Sequence, residues 1–283
     1  TMDACMVSGT APMCSHMGPN YQTDVMNCGR CGNRCMAAAH QTAACMMGMC
    51  RIECEMGWVD LNAMAMDGCE CDSTAADAPD LMFRDTNCDG IDGTVASAIF
   101  VSPRGDDAND GLGVVMRGAD GRPTLTVRPK RSMNAALQAA AAARPVKAVY
   151  AAQGTYTGAV RLESGVSVYG GYNDMMGWSR AMANTTTIQS DTTTGVVGLN
   201  LANELELQLL AITARDGVAS GESSYGVRIA ASPGRVTLRA CRVSAGSGAN
   251  GSTGTDGARG TNGNNGATAN GGTPGDAGSS MCG

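Results

Sequence analysis

Aromatic side chains are scarce in this chain of 283 residues, which has two Phe, two Trp and six Tyr. A count that low excludes a core built on aromatic rings. Lysine occurs only as Lys130 and Lys147, against 18 Arg, an imbalance that owes as much to genome base composition as to selection. The only histidines are His16 and His40. No apolar run approaches the ~18 residues that a membrane-spanning helix needs, so no membrane span is expected. The first residues lack the charged and apolar regions of a signal peptide. The net charge of −6 gives no basic footprint for nucleic acid.

Cysteine, glycine and methionine are abundant, at 13, 39 and 19 residues. Eleven of the cysteines lie between Cys5 and Cys88. A reducing cytosol would leave so many thiols reactive, so we expect a mature, exported protein, extracellular or on the outer cell surface, with its signal removed. It reads as a piece of a longer protein, because it stops at Ser279–Gly283 without a closing element. Composition divides it into four parts: a disulfide-rich module (1–75), an acidic hinge (76–96), a β-rich region (97–245) and a glycine-rich segment (246–283).

The module has almost no apolar periodicity and cannot offset chain entropy by burial alone. We expect disulfides among Cys5, Cys14, Cys28, Cys31, Cys35, Cys45, Cys50, Cys54, Cys69 and Cys71. Cys28 and Cys31 have a zinc-like spacing, but no second pair or following His completes a site. The run Asn27–Cys35 (N-C-G-x-C-G-x-x-C), then Cys45–Cys50 (C-x-x-G-x-C) and Asp67–Glu70 (D-G-C-E), resembles a cysteine-rich repeat of exported myxobacterial proteins. That resemblance covers about residues 26–72 and implies a surface location without a known chemistry. Thirteen of the 19 methionines precede residue 83. The stretch "CMMGMC" suggests a soft Cu(I) site of thioethers and thiolates, with His16 and His40 nearby. Disulfides would consume those thiolates, so exposed methionine in a disulfide module is the favoured reading.

In the acidic hinge, Asp85-x-Asn87-x-Asp89-Gly90 follows the first half of a calcium loop, with Ile91 offering its carbonyl. Position 12 of such a loop is Ala96, so the bidentate Glu of an EF-hand is missing; Asp92 or Asp80 would substitute. The loop resembles the calcium turns of thrombospondin-type and dockerin repeats. A plain solvated turn is the alternative.

The β-rich region opens with an expected strand at Ala98–Ser102. The tripeptide Arg104-Gly105-Asp106 sits in a polar loop and is read as a turn rather than an integrin motif. A helix is expected over about 132–143, with Ser132 as N-cap. Short apolar runs then centre near Val149, Val168, Ile188, Leu207 and Leu238. Their spacing of ~20 residues suggests a β-solenoid with Val149, Val168, Ile188 and Leu207 stacked inward and the helix capping one end. The stretches Val101–Gly111, Ala151–Tyr156 and Ser164–Tyr172 resemble the starts of secreted proteins of the pectin-lyase-like superfamily. The resemblance covers about residues 97–245 and implies a right-handed parallel β-helix; it says little about function.

Many members of that superfamily act on acidic polysaccharides, and polygalacturonase-like ones use paired Asp with a Gly-His-Gly motif. Both histidines here lie in the module, so that motif is absent. Glu204 and Glu206 share a face, Asp174, Asp191 and Asp216 are scattered, and a lyase-like base would have to come from Arg215, Arg239 or Arg242. We therefore expect a non-catalytic structural or adhesive protein, a fibre or matrix subunit that self-associates or meets other surface proteins and possible polysaccharide. A lyase-like enzyme and a metal-binding surface protein remain the alternatives.

Glycine recurs every third residue from Gly248 through Gly251, Gly254, Gly257, Gly260, Gly263, Gly266, Gly272, Gly275 and Gly278, with Ala269 the one interruption. That period matches a polyproline-II-like helix with one bare edge, open to backbone hydrogen bonds from further such passes. A flexible linker is the competing reading. Cys241 and Cys282 flank the segment and are expected to bond, which leaves one of the other eleven cysteines free or joined to another chain.

Overall fold

The computed structural model describes residues 20–64, 66–118, 122–268 and 271, together with two short strands, β1 (Met6–Ser8) and β2 (Ala11–Met13), which pair antiparallel. The module continues with the hairpin β3 (Gln41–Met46) and β4 (Met49–Cys54) and the small pair β5 (Trp58–Val59) and β6 (Cys71–Asp72). The hairpin turns on two residues, Met47 and Gly48, both at positive φ (50° and 75°), the geometry of a type I′ turn. Four disulfides join described residues here: Cys28–Cys45, Cys35–Cys50, Cys54–Cys69 and Cys71–Cys88. Cys31 is disulfide-bonded as well.

The β-rich region begins with β7 (Ala98–Val101), the hairpin β8 (Gly113–Arg117) and β9 (Pro123–Val127), and helix α1 (Met133–Ala142). Ser132 caps the helix, its hydroxyl accepting from the Ala135 N–H at 3.3 Å. Three strands follow, β10 (Ala148–Ala152), β11 (Gly154–Thr157) and β12 (Val160–Arg161). The next pass supplies β13 (Val168–Asn173), β14 (Ser179–Arg180), β15 (Thr186–Gln189) and β16 (Thr194–Leu199). A third gives β17 (Leu205–Gln208), β18 (Leu210–Thr213) and β19 (Tyr225–Ala230), and a fourth gives β20 (Val236–Arg239) and β21 (Arg242–Ser244). These strands build three parallel sheets, in the orders β7-β10-β13-β17-β20, β11-β15-β18-β21 and β12-β16-β19. Only β14 joins antiparallel, on β13.

Equivalent positions stack along each sheet. Ile99, Val149, Val168, Leu207 and Leu238 are register partners in the first, Tyr156, Ile188, Ile212 and Val243 in the second, and Val160, Val196 and Val227 in the third. The expected inward residues Val149, Val168, Ile188 and Leu207 all lie in the core, Ile188 from the second sheet and the others from the first. The ~20-residue spacing of apolar runs mixed steps between sheets with steps along one sheet. Inward residues of the three sheets meet in one core, and α1 contributes Met133, Ala136, Leu137 and Ala140, which recur at helical spacing. The helix packs against β7, β10 and β12, covering the β7 end of the stack.

The first sheet is covered on its outer face too, and there the scarcity of aromatics proves a poor guide. Phe100, Tyr150, Tyr172 and Trp178 form a second buried cluster with Ile91, Val95, Ala98 and Ala152. Tyr150 stacks on Tyr172 with ring centroids 4.9 Å apart, and Phe100 meets Trp178 edge-on at 4.7 Å. An aromatic core is therefore present; the low count limits its size, not its existence. A one-residue bulge puts Tyr172 there. Tyr150 pairs with Tyr169 but Ala152 pairs with Tyr172, so β13 carries an extra residue at Gly170-Gly171. The bulge reverses the alternation and turns Tyr172 outward, beside Tyr150.

Candidate functional site

The acidic segment covers that outer aromatic face together with Val115, Leu125 and Val127 of the β8–β9 hairpin. Ile91 and Val95 are buried, so residues 76–96 form a packed layer rather than a hinge. The Tyr172 hydroxyl donates to the Asp92 carbonyl at 2.6 Å, and the Tyr150 hydroxyl accepts from the Thr94 N–H at 3.1 Å. Asp77 accepts from the Gly93 N–H at 3.0 Å. Gly93 sits at φ 100° directly against the Tyr150 hydroxyl and Pro79, where a Cβ would not fit.

At the centre is an ion pair that sequence reasoning missed. Arg180, on β14, places Nη1 2.7 Å from Asp92 Oδ2, and both side chains are essentially inaccessible. The same guanidinium donates to the Gly170 carbonyl at 2.9 Å, the Asp80 carbonyl at 2.7 Å and the Gln208 side-chain oxygen. It lies 5.3 Å from the Tyr172 ring centroid. Burial raises the Asp92 carboxyl above its ordinary range, while the hydrogen bond from Arg180 acts the other way. Asp92 is thus committed to Arg180 and is withdrawn from the calcium ligand set. Asp80, the other candidate substitute, accepts from the N–H groups of Met82 and Phe83 through Oδ1.

The remaining candidates bind the backbone of their own turn. Asp85 Oδ1 and Asn87 Oδ1 both accept from the Asp89 N–H at 3.1 Å, and Asp85 Oδ2 accepts from Gly90 at 2.9 Å. Asp89 accepts from Val95 at 2.7 Å and from Ile91 at 3.4 Å. The Asn87 amide also donates to Asp89 Oδ2 at 3.3 Å and to the Thr94 hydroxyl at 3.1 Å. Burial, and then the neighbouring Asp85, push the Asp89 carboxyl up to about 6. Burial likewise raises Asp85. Two carboxylates and an amide oxygen in one turn suit a hard divalent cation, with carbonyls and water completing the shell. Asn87, Asp89 and Thr94 line an open cleft of about 650 Å³ between this turn and the β8–β9 hairpin. Arg117 lines it too and donates to the Cys88 carbonyl at 2.8 Å.

The disulfide expectation holds for Cys28, Cys31, Cys35, Cys45, Cys50, Cys54, Cys69 and Cys71, while Cys5, Cys14 and Cys282 lie outside the described residues. Two corrections follow. Cys88, not included among the expected bridges, bonds Cys71 and so fastens the module to the acidic segment. Cys241 is a free thiol, so the expected Cys241–Cys282 bond is not formed. Cys28, Cys35 and Cys50 bring their sulfurs within 4.8 Å of one another, but as members of two bridges they offer no thiolate to zinc or copper.

The glycine segment starts in contact with the loop between β18 and β19. Ser247 and Asn250 carbonyls accept from Gly217 and Gly221 at 2.8 Å, and the Ala249 N–H donates to Glu222 at 2.9 Å. Gly246 abuts the Arg215 backbone so closely that a Cβ would strike it. From Gly251 on, the described residues are exposed, and a Cβ at Gly251, Gly254, Gly257 or Gly260 would meet nothing. Contacts within the described chain therefore give no reason for glycine at these four places. Gly263 and Gly266 continue the exposed stretch, and Gly272, Gly275 and Gly278 lie outside the described residues.

The carboxylates considered for catalysis are dispersed, most of them paired with arginine. Arg235 pairs with Glu204 at 2.9 Å, Arg239 with Glu206 at 3.4 Å and Arg104 with Asp174. Arg215 donates to the Asp191 and Asp216 carbonyls and pairs with Glu222 at 3.7 Å. Arg104 of the Arg-Gly-Asp tripeptide is held by Asp174, and Gly105 packs on the backbone of Pro129 and Lys130. Among the described residues no helix is long and apolar enough to cross a membrane. Comparison of the chain with protein-family models, curated proteins and solved structures gives no significant match.

Proposed function

We propose that the chain is a non-catalytic structural or adhesive protein of the cell exterior, whose β-rich region is a right-handed parallel β-helix capped by α1 at one end. The observation that carries this reading is the repetition of one apolar ladder through five strands, Ile99, Val149, Val168, Leu207 and Leu238. A solenoid grows by adding passes to open edges and makes a stiff, extended body suited to a stalk or fibre. Disulfides in the module fit an oxidising exterior. In this reading Asp85, Asn87 and Asp89, with the Ile91 carbonyl, hold calcium and stiffen the layer between module and stack. The bare glycine edges at Gly251–Gly260 meet equivalent segments of neighbouring copies, so the partner is first of all the protein itself.

Electron microscopy and light scattering of the purified protein test the reading. Filaments or discrete oligomers are expected, and Gly257→Val with Gly263→Val should reduce assembly. A monomer that releases unsaturated fragments from acidic polysaccharide would replace this reading with the lyase-like one. Fast amide exchange throughout 251–268 in the assembled protein would leave the glycine segment as a linker.

A further inference from the structure

We propose that the tip of the β3–β4 hairpin is a binding site for a soft monovalent cation, Cu(I) or Ag(I), held by the thioethers of Met46, Met47 and Met49. The site does not depend on the structural role proposed above. Met46 and Met49 are direct register partners on either side of the two-residue turn, so their side chains leave the same face of the hairpin. The next pair inward, Cys45 and Cys50, points by alternation to the opposite face and is committed to disulfides. Met47 occupies the turn itself.

Three features set this tip apart from incidental surface methionine. First, the three side chains are exposed at 50, 78 and 66%, as Met36, Met56 and Met66 also are, but here two of them are paired across a two-residue turn that carries the third. Second, Met47 has φ 50°, a left-handed conformation that Asn, Asp or Gly adopts with less strain; a long thioether there costs stability without returning packing. Third, the backbone beneath is fixed. Disulfides start at the residues just behind Met46 and Met49, the Gly48 N–H donates to the Gln22 carbonyl at 3.3 Å, and Gly29 lies against Gly48 so closely that a Cβ on it would strike the Gly48 carbonyl. With the backbone fixed, the freedom lost on binding is confined to the three thioether side chains.

The donor set decides the ion. Thioethers are neutral and soft, and they favour Cu(I) over zinc, calcium or magnesium. They do not titrate, so affinity should be unchanged between pH 5 and 8, unlike that of any site built on His, Cys or carboxylate. The bridged cysteines are not needed, which removes the conflict between disulfides and a copper site in this stretch.

The test uses the disulfide-bonded full chain with free thiols alkylated and Met labelled at the ε-methyl carbon. Silver nitrate is titrated in chloride-free buffer, and Cu(I) is then presented in competition with a chromogenic chelator. One equivalent should shift three methyl signals, assigned to Met46, Met47 and Met49. Each Met→Leu substitution at these positions should weaken binding at least ~10-fold, since losing even a supporting group of a metal site has that effect. Met47→Gly keeps the turn geometry and loses a ligand, which separates lost binding from lost folding. Met56→Leu and Met66→Leu should change nothing. Methyl shifts spread over all exposed methionines, or full binding by the Met46/Met47/Met49 triple leucine variant, would overturn the proposal.

Discussion

The module and the stacked sheets reach order by opposite means. Between residues 20 and 75 the buried apolar positions are Cys28, Cys45, Cys69 and Cys71, while Met36, Met46, Met47, Met49, Met56, Met64 and Met66 are exposed. From 98 to 214 the buried apolar positions are Val, Leu, Ile, Ala, Met133 and a few rings, and Cys241, further along the stack, is unbridged. The module uses sulfur as both core and cross-link, and its apolar content is a misleading measure of its interior. Its bridges span 15 to 17 residues of sequence, and loops of that size are each worth about 3 kcal/mol. The largest expected effect is therefore reductive. Reduction of the folded protein should expose 20–88 to protease while fragments spanning 98–245 survive. Simultaneous loss of both regions would mean that the stack depends on the module.

That dependence has an identifiable route, since Cys71–Cys88 joins the module to the layer that Arg180 and Asp92 pin over the aromatic face. Arg180→Met leaves Asp92 buried without its partner, and breaking a buried pair in this way costs about 3–5 kcal/mol. Adding Asp92→Asn should restore part of the loss, because the uncompensated charge is gone. Denaturant melts of the two single variants and the double variant check this; strictly additive effects would mean that the pair is not coupled.

Within the stack, one ladder offers its own comparison. Leu207 is 1% exposed and Leu238 is 40% exposed at the next register position. Leu207→Ala should cost about 2–5 kcal/mol and Leu238→Ala clearly less, since a half-exposed site leaves no cavity. Equal losses would show that something covers the β20 edge in solution.

What the sequence makes legible is local. Ser132 before an Ala-rich run marks the helix, and Val149, Val168 and Leu207 fall in one ladder as their alternation suggests. Ile188 points inward as expected but from another sheet, because apolar runs recur without saying which sheet they join. Tyr172 fails because the bulge at Gly170-Gly171 reverses which face it takes. At the acidic segment, Asp85, Asn87 and Asp89 share one turn and accept from its backbone N–H groups. Asp92 reads equally well as a ligand in the run Asp89-Gly-Ile-Asp92, and its true partner is 88 residues away in the chain. Partners brought together by sheet stacking leave no trace in local spacing.

The smallest expected effect concerns the same two carboxylates and separates a cation site from a turn. Asp89 has its carboxyl raised to about 6 from an ordinary 3.8, chiefly by burial. The folded state therefore binds this proton more tightly than the unfolded state. Stability from Asp89 should rise as pH falls from 7 toward 4 and be lost as pH rises through 6. Asp89→Asn should remove that slope. Millimolar calcium would favour the ionised form, so at pH 7 it should raise the melting temperature of the wild type but not of Asp89→Asn. Near pH 5 the proton competes with the ion and the calcium effect should shrink. Melts at pH 5, 6 and 7, with calcium and with chelator, distinguish the cases. If calcium has no effect at pH 7 while the Asp89 slope persists, the carboxylates serve the turn alone, through the Val95, Ile91 and Gly90 amides they already bind.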